Sequence, residues 1–183
     1  MSEQFGFLYN KENCIQCLGC EIACKTWRNV ELGVSWRRVD NIWHGRYPEV
    51  KNSSASIACL HCAYPACVES CPEEAIFKRE EDGIVEVDEE KCTGCQICLE
   101  ACPFAVPQFG LDGKMQKCDM CVNELDLTTD SPPCVKTCPT KALVFGKMNE
   151  QEKLSAEAST KHLIVLSRTQ AIPGGMHGQA GDD

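Results

Sequence analysis

Apolar positions in this chain come in short runs broken by polar turns, and no window approaches the ~18 uninterrupted apolar residues of a membrane span. Two such runs lie in the same register ahead of a cysteine. They are Phe7-Leu8-Tyr9-Asn10-Lys11-Glu12-Asn13-Cys14 and Val85-Glu86-Val87-Asp88-Glu89-Glu90-Lys91-Cys92. Each predicts a short strand followed by a polar turn. Residues 75–77 and 83–87 predict a hairpin turning near 80–83. Short helical turns are expected at Leu99-Glu100-Ala101 and Val135-Lys136-Thr137, and an amphipathic helix over 150–162. Residues 123–133 are polar, with Pro132-Pro133, and read as a loop. Residues 26–56 read as a longer connector rich in Trp and Arg, and the Gly-rich stretch 173–183 as an extended tail.

Composition sharpens this picture. Sixteen cysteines sit in 183 residues, against only six Phe, three Trp and three Tyr, so the hydrocarbon core must be thin. Such cysteine usage means either a disulfide scaffold in an oxidising compartment or metal sites in a reducing one. The opening stretch, Met1-Ser2-Glu3-Gln4-Phe5-Gly6-Phe7, has no basic n-region and no apolar h-region. No export signal is expected from it, and the expected compartment is the cytoplasm, with co-export on a signal-bearing partner left open. That tilts the cysteines towards metal. The formal net charge of −9 argues against nucleic-acid phosphates as a partner.

The cysteines fall into four groups with none left over: Cys14, Cys17, Cys20, Cys24; Cys59, Cys62, Cys67, Cys71; Cys92, Cys95, Cys98, Cys102; and Cys118, Cys121, Cys134, Cys138. Groups one and three share the run C-x2-C-x2-C-x3-C. Groups two and four widen one spacer but keep C-x3-C-P, with matching continuations Cys71-Pro72-Glu73-Glu74-Ala75-Ile76-Phe77 and Cys138-Pro139-Thr140-Lys141-Ala142-Leu143-Val144-Phe145. The sequence therefore reads as a duplication of a two-cluster module. Three closely spaced thiolates let a loop curl around three corners of one cube. The fourth, a helical turn further on, ligates the other cluster of a pair, as in two-cluster bacterial ferredoxins. Group one departs from the run in having Lys25 where proline is usual. Zinc is the alternative, but it prefers two separated C-x2-C knuckles closing one tetrahedron, and a third cysteine two residues later would crowd it.

Other chemistry is unsupported. G-x-G-x-x-G, the Walker A loop and C-x-x-C-H are all missing from the sequence. His61 reads as a packing or solvent-facing residue rather than a ligand, and His44, His162 and His177 as ordinary. Trp27, Trp36 and Trp43 read as core packing, with shielding of a cluster as the alternative. Arg37 and Arg38 read as surface residues, with tuning of a potential as the alternative. No nucleophile–base pair is evident, so the protein is not expected to be an enzyme by itself.

With these groups placed, the sequence resembles the four-cluster ferredoxin-like subunits of molybdenum and tungsten oxidoreductases, the dimethyl sulfoxide reductase iron–sulfur subunits in particular. The likeness spans residues 4–146. It includes Ser35-Trp36-Arg37-Arg38-Val39, Cys67-Val68-Glu69-Ser70-Cys71-Pro72, Lys78-Arg79-Glu80-Glu81-Asp82-Gly83 and Lys117-Cys118-Asp119-Met120-Cys121. The resemblance implies an α+β fold of duplicated bacterial-ferredoxin-like two-cluster modules, with short hairpins and helices. Residues 57–110 would form an inner module, residues 1–56 plus 111–146 an outer one, and 147–183 a C-terminal helix and tail. It also implies a ligand pairing: Cys14, Cys17, Cys20 and Cys138; Cys118, Cys121, Cys134 and Cys24; Cys59, Cys62, Cys67 and Cys102; Cys92, Cys95, Cys98 and Cys71. Nitrate reductase relatives carry Trp at the position of Cys95, so four [4Fe–4S] clusters are implied here. The implied function is electron relay between a large Mo- or W-pterin catalytic subunit and a further redox subunit or membrane anchor. A free-standing polyferredoxin is the alternative, and Ile164-Val165-Leu166 together with the Gly-rich tail lean towards the subunit.

Overall fold

A computed structural model describes residues 4–149 and 163–165. In sequence order the elements are β1 (Phe5–Asn10), a 3-10 turn (Lys11–Asn13), α1 (Gly19–Trp27), β2 (Arg38–His44), β3 (Lys51–Ile57), α2 (Ala66–Glu69), β4 (Ile76–Lys78) and β5 (Val85–Val87). They continue with α3 (Ile97–Ala101), β6 (Gln108–Phe109), β7 (Met115–Gln116), α4 (Pro133–Lys136), β8 (Leu143–Lys147) and β9 (Leu163–Val165). The architecture is the expected α+β mixture of small helices and short antiparallel pairs. The expected strands, the 75–87 hairpin and the helical turns at α3 and α4 are all present.

Strand β1 is the centre of a three-stranded antiparallel sheet, order β8-β1-β9, with Phe7 opposite Phe145 and Leu8 opposite Val165. A strand covered on both edges and both faces carries a continuous apolar run, and Phe5 through Tyr9 are buried. Phe145 stacks on Phe5 at 5.4 Å between centroids and tilts against Phe7 at the same separation. Because group one follows β1 and group four precedes β8, this pairing brings the first and last cysteine groups side by side. Helix α1 lies against α4, while α2 lies against α3 between groups two and three. The larger core gathers around Phe7, Tyr9, Ile84, Met120 and Leu143, and a smaller one around Ile76, Val85, Cys98 and Met115.

Several expectations are corrected. Residues 26–56 are not merely a connector: β2 and β3 form a seven-pair hairpin from Arg38↔Ile57 to His44↔Lys51. Trp27 and Trp43 are exposed rather than core, and Trp36 is partly buried, donating from Nε1 to Gln116 Oε1 at 3.0 Å. Leu163–Val165 are a strand on β1 rather than part of a helix or tail. The helix expected over 150–162, the tail at 173–183, His162 and His177 lie outside the described residues.

The Lys25 departure has a visible result. In the other three groups proline follows the last cysteine, and a residue with positive φ comes three positions after that cysteine: Glu74 (49°), Ala105 (47°) and Lys141 (52°). Proline has no N–H to continue the helical ladder. With Lys25 in its place, α1 runs to nine residues and ends at Trp27. The Lys25 ammonium then donates to the carbonyls of Glu31 (2.9 Å) and Val34 (2.6 Å), holding the following loop.

Gly94, with φ of +72°, packs so closely that a Cβ would stand 2.3 Å from the Gly113 carbonyl oxygen, whereas one at Gly33 (φ +87°) would meet nothing within 4 Å. Gly94→Ala should therefore cost more than ~2 kcal/mol of stability, and Gly33→Ala only the ~1 kcal/mol of a left-handed backbone. Anaerobic denaturant midpoints compare the two, and equal losses would contradict the close approach.

Candidate metal centres

None of the sixteen cysteines is disulfide-bonded. Cys14, Cys17, Cys20 and Cys138 line one cavity with Tyr9, Leu18, Val39 and Leu143. Cys71, Cys92, Cys95 and Cys98 line another with Ile76, Phe109 and Met115. Cys62 and Cys67 each feel the electrostatic influence of Cys59 and Cys102, and Cys118 and Cys121 each that of Cys24 and Cys134.

Local backbone makes these cradles. In every group the second residue of the first C-x2-C spacer has positive φ: Gln16 (57°), His61 (46°), Gly94 (72°) and Met120 (59°). Leu18 (58°) and Gln96 (65°) stand in the second spacer of groups one and three, where they serve as N-caps of α1 and α3 without a side-chain hydrogen bond. Alternating right- and left-handed residues turn successive N–H groups to one side, a nest suited to anionic clusters. Backbone amides accordingly approach sulfur: Ala75 N to Cys71 Sγ (3.3 Å), Met115 N to Cys92 Sγ (3.4 Å) and Met120 N to Cys118 Sγ (3.5 Å). Left-handed non-glycine residues are strained and persist only where surroundings over-determine them. Ahead of two groups, Asx turns set the entry: Asn10 Oδ1 accepts from Glu12 N, and Asp88 Oδ1 from Glu90 N and Lys91 N.

Burial governs the electrostatics. Burial first, then neighbouring thiols, push Cys67 up to about 12. Burial and the Asp119 carboxylate do the same for Cys121, to about 12. Burial likewise carries Cys24 and Cys98 to about 11, and Cys118 well above the ordinary thiol range. Cys14 goes the other way: burial opposes ionisation, but hydrogen bonds from Ser54 and Tyr9 outweigh it and lower the thiol.

The described residues contain no group of His, Cys, Asp or Glu closing on a single metal ion. An all-cysteine donor set spaced for three-plus-one sharing fits a polynuclear cube bound by soft thiolates better than one zinc ion. Arg37 supplies a second test. It is 1% exposed, contrary to the surface reading, and its Nε and Nη2 have no hydrogen-bond partner among the described residues. A buried guanidinium costs several kcal/mol unless anions offset it. The sulfurs of Cys134, Cys118, Cys20 and Cys24 act on it electrostatically, and thiolate-bound clusters would provide the missing negative charge.

Sequence reasoning missed Tyr9, Ser54 and Ser56, and gave Arg37 a tuning role only as the alternative to a surface one. Among the left-handed spacer positions only Gly94 carried a signal. His61 is not a ligand in this geometry: it is fully buried, kept neutral by burial and by Lys117, and its Nδ1 accepts from Val85 N at 2.9 Å. Arg38 is half-exposed, pairing with Asp40 and donating to the Phe104 carbonyl. Arg28 joins α1 to the group-four loop through Asp119 (2.7 Å) and Glu124, and lies 5.0 Å over Trp36.

The Tyr9 hydroxyl, within 3.1 Å of Ser54 O and 2.9 Å of Ser54 Oγ, has no counterpart in the repeat, where Val87 stands at that register. Tyr9→Phe should cost ~1–2 kcal/mol and raise the Cys14 thiol. Iron should then leave faster into a chelator, from the Cys14 set first; loss at the wild-type rate would remove the hydroxyl from any role there.

Residues 50–148 match the family of the 4Fe-4S dicluster domain. The sequence is 40% identical over 165 residues to the B subunit of anaerobic dimethyl sulfoxide reductase from Escherichia coli, covering 84% of this protein and 78% of that one. It is 38% identical over 189 residues to the formate dehydrogenase iron–sulfur subunit of Wolinella succinogenes, covering 91% and 92%. A thiosulfate reductase electron transfer subunit of Salmonella typhi is 36% identical over 162 residues, covering 83% and 80%. The protein belongs to this 4Fe-4S dicluster family, among the iron–sulfur electron-transfer subunits similar to that of dimethyl sulfoxide reductase, and its cofactors are four [4Fe–4S] clusters.

Proposed function

We propose that this protein relays electrons inside an oxidoreductase complex, between a large Mo- or W-pterin catalytic subunit and a further redox subunit or membrane anchor, without substrate chemistry of its own. The observation that carries the reading is a pair of cavities, each lined by three cysteines of one group and one from another: Cys14, Cys17, Cys20 with Cys138, and Cys92, Cys95, Cys98 with Cys71. On it we assign the sets as ligands: Cys14, Cys17, Cys20, Cys138; Cys24, Cys118, Cys121, Cys134; Cys59, Cys62, Cys67, Cys102; Cys71, Cys92, Cys95, Cys98. Groups two and three would build the inner module (57–110), groups one and four the outer one (1–56 plus 111–146).

A cubane bound by four thiolates takes up and gives back one electron with little change in geometry. The protein's part is to bind, shield and bias. Every cysteine of the Cys24 set is buried, whereas Cys17 and Cys95, in two other sets, are exposed. That pattern suits a relay with a dry middle and accessible ends. Apolar side chains at Leu18, Val39 and Leu143 in one of these two sets, and Ile76, Phe109 and Met115 in the other, line the cavity and leave one cysteine of each set open to solvent. The relatives named as subunits of dimethyl sulfoxide reductase, formate dehydrogenase and thiosulfate reductase support a catalytic partner. Among the described residues no helix is long and apolar enough to cross a membrane. Sixteen cysteines committed to metal rather than to disulfides suit a reducing compartment, the cytoplasm in our reading.

Anaerobic purification from the native host, with iron, molybdenum and tungsten measured on one sample, tests the proposal. About sixteen irons per protein molecule, with Mo or W following a large co-eluting partner, is the expected result. The same iron with the protein eluting alone would favour a free polyferredoxin, and zinc in place of iron would overturn the ligand assignment. Cys95→Ala should lose or convert one cluster of the four and leave the others assembled; an intact cluster count in that variant would contradict the set to which it is assigned.

A further inference from the structure

The geometry points to Arg37 as a fixed internal counter-ion, seated between two of the four cysteine sets, that raises the reduction potentials of both clusters they hold. The inference rests on the ligand sets proposed above.

Three observations place it. Arg37 is fully buried, and no ion pair among the described residues includes it. Its guanidinium carbon lies 4.3 Å from the centroid of the Phe7 ring, so Phe7 packs against one face. The sulfurs that act on it come from both sets: Cys20 from one, and Cys24, Cys118 and Cys134 from the other. A positive charge in a dry site favours whichever neighbouring state is more negative, and that is the reduced cluster. Arginine suits the position because its guanidinium stays charged even in a dry site, while a lysine ammonium there would keep its proton only through the attraction of the two anionic clusters.

A second lever runs through Ser56, itself 2% exposed. Arg37 Nη1 donates to Ser56 Oγ at 3.0 Å, and Ser56 Oγ lies 3.6 Å from Cys20 Sγ. With a lone pair occupied by the guanidinium, the serine O–H is free to point at the sulfur. A hydrogen bond to a ligand sulfur also stabilises the reduced state. This relay reaches Cys20 alone, so charge acts on two clusters and the hydroxyl on one.

The test is an EPR-monitored redox titration of the anaerobic holoprotein beside Arg37→Met, Arg37→Lys and Ser56→Ala, with iron counted in each. Arg37→Met should keep about sixteen irons per protein molecule. Two of its four midpoints should fall by at least tenfold in reduced-to-oxidised ratio at fixed potential, about 59 mV for a one-electron couple. Arg37→Lys should restore part of that shift, and Ser56→Ala should lower one midpoint only. Full iron with four unchanged midpoints in Arg37→Met would overturn the inference. So would a lysine variant shifted as far as methionine, since shape rather than charge would then matter. Should Arg37→Met lose its iron, Ser56→Ala decides: one lowered midpoint supports the relay, none refutes it. Wild-type protein without iron would instead sink the ligand sets themselves.

Discussion

Sulfur sharing between distant segments is the constraint on which the rest of this structure depends. In the ligand sets proposed here no group of four cysteines in sequence is also a set of four in space: each gives one residue to its partner group. Groups two and three satisfy this over a short separation, through α2 against α3 and the β4–β5 hairpin. Groups one and four satisfy it across most of the sequence, and the β1–β8 pairing with its Phe5, Phe7 and Phe145 contacts brings them into reach. Loop closure over such a distance costs conformational entropy, and metal–thiolate binding contributes folding free energy that offsets it. A thin hydrocarbon core is enough because the clusters act as staples.

The cost of that economy is electrostatic. Burying thiols raises their proton affinity, and burying the Arg37 guanidinium near them leaves two of its nitrogens without a partner among the described residues. That charge makes sense beside a negative cofactor. Lys117 donates to the carbonyls of Val85 and Cys118, and Lys78 to those of His61 and Cys62, so these two cations are moored by backbone and held near sulfur. Packing and redox tuning are here the same set of contacts.

Cysteine spacing made the cofactor legible, and the repeated strand–turn–ligand pattern made β1, the β4–β5 hairpin and the short helices legible. The signal was strong because few folds tolerate four cysteines within eleven residues, as from Cys14 to Cys24. What the sequence hid depended on tertiary context. Gln16, His61 and Met120 adopt left-handed backbone with no glycine to announce it, because cradle geometry overrides their preference. The β2–β3 strands carry Asp40, Asn41, Asn52 and Ser53, a polar composition that resembles a loop until the partner strand supplies its hydrogen bonds. Arg37 sits in an Arg pair next to a tryptophan, a local pattern that says surface; only the convergence of four sulfurs makes it interior.

The central place of β1 bears on how the molecule is made. Its neighbours β8 and β9 lie at 143–147 and 163–165, so the strand leaves the ribosome long before either partner exists. With the sharing proposed here, Cys14, Cys17 and Cys20 wait for Cys138, and Cys24 waits for the group-four loop. Groups two and three have all their members once Cys102 emerges. The first cysteines translated are thus among the last to be completed, and during that interval they stand as unsatisfied thiols that the cell must keep reduced, or in the hands of its cluster-delivery machinery, until the other end of the protein arrives.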